Sequence, residues 1–158
     1  MNIRSNNFLI RKAKKSDSRD ILKLITELAE FEKLNPPDKH AQKRLIADAF
    51  RSKPLFNILI AEYRDKIIGY AFYFFTYSTF LAKPTLYLED IFVSNNYRNS
   101  GIGKLLFDEL LKIAKAKKCG RLEFTVLDWN KNAMRFYKRY NAKIMKEWLL
   151  HRITIDKI

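Results

Sequence analysis
The chain has 158 residues, with 31 Lys and Arg against 17 Asp and Glu for a formal net charge of +14, and it is 47% hydrophobic and 14% aromatic. That is enough apolar material for one folded domain, 1–158, with its own core, and too much for a disordered chain. No apolar run reaches the roughly 18 residues of a membrane span, residues 1–7 lack a signal-peptide core, and a lone Cys119 gives no internal disulfide and no metal cluster. The expectation is a cytoplasmic protein without a metal.

Taken in chain order, the pattern alternates. Phe8 to Arg11 reads as a short strand, and Ser16 or Asp17 caps a helix whose apolar residues Ile21, Leu24, Ile25, Leu28 and Phe31 recur at helical spacing. Pro36-Pro37 closes that region, and Asp38 opens a second helix through Leu45, Ile46 and Phe50. Phe56 to Tyr63 and Ile67 to Tyr77 form a hairpin about a turn at Arg64-Asp65-Lys66. A strand from Thr85 to Val93 leads to a helix from about Ile102 to Lys117, with Gly120 as its C′ residue. Leu122 to Leu127 predicts a strand, Asn130 to Tyr140 a helix, and Lys143 to Ile155 a closing antiparallel pair. Hairpins early and βαβ later imply an α/β chain with a mixed sheet.

Four groups of residues carry possible chemistry. After the strand Leu86-Tyr87-Leu88-Glu89-Asp90 comes Arg98-Asn99-Ser100-Gly101-Ile102-Gly103, then a helix. It is neither a P-loop, since Lys104 is followed by Leu105, nor a dinucleotide fingerprint, since Leu106 stands where the third glycine belongs. A helix start of this kind offers unpaired N–H groups to phosphate, although a purely structural turn also explains the glycines. Glu89 and Asp90 are adjacent in a strand, so they point to opposite faces unless a bulge re-aims them. They read either as partners of basic residues or as acids held for a cationic substrate. Asn130 caps a helix carrying Ala133, Phe136, Tyr137 and Tyr140, a stripe that suits a core, although a buried Tyr needs a polar partner. Glu30, Glu32 and Glu147 stand beside Phe31 and Trp148, while His40 and His151 have no metal-like neighbours. The basic residues are scattered, and the clusters at Arg11-Lys12, Lys14-Lys15 and Lys115 with Lys117-Lys118 read as solvated positions.

Arg98 to Gly103 resembles the Arg/Gln-x-x-Gly-x-Gly/Ala signature of the GNAT N-acetyltransferases. With Ile21 to Glu32, Tyr73 to Tyr77, Leu86 to Asp90, and Asn130 with Phe136-Tyr137-Lys138-Arg139, nearly the whole chain resembles the diamine (spermidine/spermine) branch. The resemblance implies the GNAT fold and transfer of acetyl from acetyl-CoA to a primary amine, most directly a polyamine. It implies that Ile91 and Val93 pair with the pantetheine arm and that the N–H of Ile91 or Phe92 steadies the oxyanion. It places the pyrophosphate on Arg98, Asn99, Ser100, Gly101, Ile102, Gly103 and Lys104, and the pantetheine near Asn130 and Ala133. Tyr137 is then the proton donor to the thiolate and Glu89 the acid beside the amine, with Phe31, Glu32, Asp90 and Glu147 on the substrate side. A homodimer follows from the same resemblance. Asn141 departs from the family's usual Gly, and the loop after Tyr63 is shortened.

Direct abstraction of a proton from an amine near ~10.4 by an ordinary Glu near ~4.3 is uphill by roughly 8 kcal/mol, so Glu89 reads as an ammonium clamp and water relay. An ordinary Tyr near ~10 protonates a thiolate near ~8.5 at a cost of about 2 kcal/mol. The alternative acceptors are thialysine or a lysine-like amino acid, or a protein N-terminus. The non-enzyme alternative is a basic nucleic-acid-binding module, and the same positive field opposes a polycationic substrate at long range.

Overall fold
The computed structural model describes residues 3–5 and 8–155, with side chains from Phe8 onward. The signal-peptide expectation concerns residues 1–7, most of which lie outside that range. Six strands form one mixed sheet in sequential order: β1 (Ile3–Ser5), β2 (Phe8–Lys12), β3 (Asn57–Tyr63), β4 (Lys66–Ser78), β5 (Lys83–Val93) and β6 (Arg121–Phe124). The first five are antiparallel neighbours, and β6 runs parallel to β5. β1 has no counterpart in the sequence reading, because three residues are too few to show a period. The chain divides into two compact units at Thr125/Val126.

Helices α1 (Ser18–Glu32) and α2 (Lys39–Phe50) cover one face of the sheet. Ile21 and Leu24 of α1 meet Ala49 of α2, Ile58 and Ile60 of β3, Tyr70 and Phe72 of β4 and Phe92 of β5 in one buried cluster. These strand residues sit two apart, as one face of a pleated strand requires. The other face takes the apolar side of α3 (Ile102–Ala116), whose Ile102, Leu106, Phe107 and Leu110 are buried and whose Phe107 ring lies edge-on to Phe124. Burying Ile, Leu or Phe side chains of this size contributes about 2 kcal/mol each.

The local signals act as the sequence suggests at several points. Asp38 caps α2 by accepting from the Ala41 N–H at 2.8 Å. Arg64 and Asp65, at φ 48° and 61°, make the two-residue turn of the β3–β4 hairpin. Asn141 takes the left-handed conformation at φ 57° that its place after the last helix requires.

Six expectations are corrected. Asp17 does not cap α1 through its side chain; the carboxylate is held by Arg11 and by the Lys14 N–H, and a short 3₁₀ turn (Lys15–Asp17) precedes the helix. Arg11 is therefore not a solvated cation but the centre of a half-buried ion network with Asp17 and Glu62. Helix α1 ends at Glu32 on a left-handed Lys33 at φ 60°, before the prolines. Lys118 at φ 54° supplies the left-handed turn after α3; Gly120 is not left-handed, and a Cβ there would stand 2.9 Å from the movable end of the exposed Leu81 side chain. β6 stops at Phe124, and residues 143–155 form no strand, with Ile144, Trp148, Leu149, Leu150 and Ile153 exposed. The consecutive Trp148-Leu149-Leu150 breaks the alternation that would fix a register, and a lone hairpin is marginal in water.

Candidate functional site
The middle of β5 is one of two places where the sheet register shifts, the other lying at Ala61/Glu62 of β3. Phe72 of β4 faces Asp90, yet its neighbour Tyr73 faces Leu88, so Glu89 is the extra residue of a bulge. The bulge resolves the conflict between two adjacent acids: Glu89 is exposed, and Asp90 is half-buried on the face that carries Tyr70, Phe72 and Phe92. Neither acid has an ion-pair partner among the described residues, so the reading of the pair as a structural salt bridge is not what the fold provides. Burial pushes the Asp90 carboxyl up to about 6, helped by the negative charges of Glu89 and Glu32. Glu32, on the last turn of α1, is itself raised by burial. α1 and β5 thus bring Glu32 and Asp90 into electrostatic contact across 58 residues of sequence.

β6 pairs with β5 from Thr85↔Arg121 to Leu88↔Phe124 and no further, so the β5 edge from Glu89 to Val93 has no strand beside it among the described residues. The chain then turns through a 3₁₀ segment (Asn95–Tyr97) and a left-handed Asn99 at φ 61°. Ser100 Oγ donates to the Tyr97 carbonyl, and Gly101, at φ 84°, starts α3. An L side chain in that conformation costs roughly 1–2 kcal/mol, which is why glycine stands there. A Cβ built on Gly101 or Gly103 would meet nothing within 4 Å. The surface over the helix start is therefore bare, with the N–H groups of the first turn presented at the positive end of a 15-residue helix.

Arg98 takes a different part from the phosphate contact expected of it. Its Nε donates to the Val93 carbonyl at 3.0 Å, and its guanidinium lies 4.5 Å from the Phe31 ring centre and 5.2 Å from that of Phe92. Burial lowers its pKa, against the opposing charge of Glu27. Arg98 joins the end of β5 to the end of α1 and so holds the loop in place. Lys104 is likewise engaged, with Asp108 one turn along its own helix. Ile91 and Val93 are half-buried, and the Phe92 ring is packed in the core, which leaves their backbone as the part facing the open edge.

In the second unit, Asn130 caps α4 (Lys131–Lys138) by accepting from the Ala133 N–H at 3.0 Å. That bond uses the Ala133 donor and leaves the Asn130 amide nitrogen. Tyr137 is buried, with its ring 5.1 Å from Phe136, and burial pushes its phenol up to about 12. Glu147 lies exposed on a turn closed by Trp148 N–H to Met145 O.

One residue near the acids escaped the sequence reading. Tyr70, in the middle of β4, is fully buried, and its hydroxyl has no hydrogen-bond partner among the described residues. A tyrosine within an apolar strand was the available signal, but Ile67 to Tyr77 holds several aromatics and nothing local distinguishes this one. Two hollows lie elsewhere: one of about 570 Å³ is lined by Asp20, Lys23, Glu27 and Tyr97 among others, and one of about 440 Å³ by Glu27, Glu30, Phe31 and Ser94 to Asn96. Neither takes in the acids of β5 or the glycine turn.

Known proteins are similar to this chain in fold and in sequence. The fold superposes on an integron cassette protein from the mobile metagenome of V. cholerae with a TM-score of 0.82, at 24% identity, covering 95% of this chain and 94% of that one. Thialysine N-epsilon-acetyltransferase of Bos taurus is 40% identical over 147 residues, 88% of this chain and 86% of its own length. Spermidine/spermine N(1)-acetyltransferase-like protein 1 of Homo sapiens is 34% identical over 161 residues, 96% of this chain but 23% of that longer protein. Residues 21–141, from the buried face of α1 through the bulged strand and the glycine turn to the end of α4, match the acetyltransferase (GNAT) family, and the chain belongs to it.

Proposed function
We propose that this chain transfers the acetyl group of acetyl-CoA to the side-chain amine of a small lysine-like amino acid, with thialysine as the reference acceptor. The observation that carries the acceptor class is the 40% identity, over 88% of the chain, to a thialysine N-epsilon-acetyltransferase. Physics favours the same choice. A lysine-like amino acid carries a net charge of about +1 near neutrality, against about +4 for spermine, and is opposed far less by a chain of net charge +14. The polyamine reading keeps the support of the 34% identity to the human spermidine/spermine relative.

The unpaired edge of β5 suits a pantetheine arm at the backbone of Ile91 and Val93, and the bare start of α3 suits a pyrophosphate at Asn99 to Lys104. Acetyl-CoA supplies the activated acyl group. The backbone N–H of Ile91 or Phe92 is placed to steady developing negative charge on the acyl oxygen. Asp90 takes the role first assigned to Glu89. With its carboxyl at about 6, proton acceptance from an amine near ~10.4 is uphill by roughly 6 kcal/mol rather than the 8 of an ordinary Glu. Glu32 and exposed Glu89 add charge that holds the ammonium and passes its proton to water. Tyr137 keeps its proton at neutral pH and gives it to the departing thiolate; with the phenol at about 12, that step is uphill by about 5 kcal/mol against a thiol near ~8.5. Phe31 walls the acceptor side, and Asn130, Ala133 and Glu147 complete the site by resemblance. The working form is one acetyltransferase domain over 1–158, a cytoplasmic homodimer.

A turnover screen with acetyl-CoA over thialysine, lysine, putrescine, spermidine, spermine and short peptides tests this. The expected result is a kcat/KM for thialysine at least about tenfold above that for spermidine, a difference of ~1.4 kcal/mol. A preference of that size for spermidine or spermine overturns the amino-acid reading.

A further inference from the structure
Buried hydroxyls without partners are rare, and one on the same sheet face as a half-buried acid calls for a use. Tyr70 is 0% exposed, and its Oη meets no donor or acceptor among the described residues. The sheet register says what lies next to it. Tyr70 is opposite Phe92, and Asp90 is opposite Phe72, so Tyr70 and Asp90 are diagonal neighbours on one face of β4 and β5. A diagonal pair of this kind is within reach of an aromatic side chain. The ring is fixed from three sides, lying 5.4 Å edge-on to Phe72, 6.3 Å from Phe92 and within the cluster of Ile21 and Leu24. Asp90 is half-buried and has no basic partner among the described residues. Its charged surroundings are Glu89 on its own strand and Glu32 on α1, with Arg98 held over Phe31 and Phe92 and countered by Glu27. Asp90 and Glu32 both disfavour ionisation of the Tyr70 phenol, which burial has already raised, so Tyr70 stays a neutral donor across the working pH range.

We propose that Tyr70 is a positioning residue for Asp90: its hydroxyl donates a hydrogen bond to the Asp90 carboxylate when an amine is bound, and so fixes which carboxylate oxygen faces that amine. The hydroxyl meets no other acceptor among the described residues, and the register sets the Asp90 position diagonal to it. The bond satisfies a donor that is otherwise buried unpaired, so it forms at little expense to the fold. It is worth most when Asp90 is charged, because a hydrogen bond to an ionised acceptor is about twice as strong as a neutral one. Tyr70 then acts on the reaction through Asp90 and needs no contact with substrate.

This inference rests on the assignment of Asp90 to the amine site, and the test separates the two. In the enzyme saturated with acetyl-CoA and thialysine, kcat is measured from pH 5 to 9 for wild type, Tyr70→Phe, Asp90→Asn and the double variant, because kcat reports the amine-bound complex in which the bond forms. Wild type is expected to lose activity as pH falls through about 6, the region where Asp90 takes up a proton. Tyr70→Phe removes a donor to the charged form, so the acid limb of kcat should move up by about one pH unit, with kcat at pH 7 down about twofold and KM for acetyl-CoA unchanged. Asp90→Asn should abolish the limb, and adding Tyr70→Phe to it should change nothing further. Tyr70→Phe should melt at or above the wild-type temperature, since it deletes an unpaired buried polar atom. An acid limb that stays in place in Tyr70→Phe, or an equal loss in both Asp90 backgrounds, overturns the proposal while leaving Asp90 in the site. A limb that persists in Asp90→Asn shows instead that the acid assignment has failed.

Discussion
Asp90 is the residue at which the sequence motif and the folded chemistry part company. Two adjacent acids are indistinguishable in the sequence, and the resemblance favours Glu89. The bulge exposes Glu89 and half-buries Asp90, and burial then raises the Asp90 carboxyl to about 6. A carboxyl whose folded pKa lies above its ordinary value binds its proton more tightly in the folded state, so it lowers stability as pH rises through the window from about 4 to 6. Asp90→Asn should therefore be more stable than wild type above pH 6, by roughly 1–2 kcal/mol after allowing for partial solvent screening, and equal to it below pH 4. Denaturant melts at pH 4 and pH 7 measure this directly. A stability difference that is the same at both pH values would mean that burial of the charge is not what perturbs Asp90. On the proposed role of Asp90 the same variant should also lose amine turnover, an exchange of stability for function.

At the scale of elements, the strand–turn–helix unit from β5 to α3 is the most legible part of the molecule. Arg98, Gly101 and Gly103 were visible as a motif, and Asp38 and Asn130 as caps, because each depends on residues within a turn or two of itself. The structure adds that the two glycines do different things. Gly101 is required by its φ of 84°, whereas Gly103 is helical and merely leaves space open above it. Gly103→Ala should raise helix stability by about 0.5–1 kcal/mol, since Gly is the poorer helix former. If the pyrophosphate lies over the helix start, the same methyl group should raise KM for acetyl-CoA several-fold. Thermal melts and acetyl-CoA titrations on one sample check both effects, and a variant that melts higher with unchanged acetyl-CoA affinity would move the phosphate away from this turn.

For the whole molecule, charge and long-range pairing matter more than local propensity. Arg11 on β2 holds Asp17 through two bonds of 2.7 and 3.0 Å and Glu62 on β3 at 2.9 Å, tying the start of α1 to the sheet. Arg11 holds the Asp17 carboxyl below its ordinary value, with the Lys14 N–H contributing. A lowered acid stabilises the fold above its ordinary pKa, and that contribution is lost as pH falls through the lower folded value. Arg11→Met should cost about 2–3 kcal/mol near pH 7, because it leaves two half-buried acids unpaired. Its stability should also fall less steeply under acid than that of wild type, and a full acid-unfolding curve for each protein tests both statements. Nothing in the run Arg11-Lys12-Ala13-Lys14-Lys15 marks Arg11 apart from its neighbours, since its partners lie 6 and 51 residues away.

The sequence by itself determined the alternation of strands and helices, the caps, the hairpin turn, the mixed sheet and the family motif. All of these are set by periodicity or by interactions a few residues long. It overstated order in residues 143–155, where apolar content without alternation gives no register. Only the tertiary structure decided which acid is buried, that Glu32 reaches Asp90, that Arg98 braces the turn, and that the Tyr70 hydroxyl lies unpaired behind the site. Each of these depends on a bulge or on contacts between distant strands and helices, and burial and electrostatics are properties of that assembled surface, which no local stretch of sequence contains.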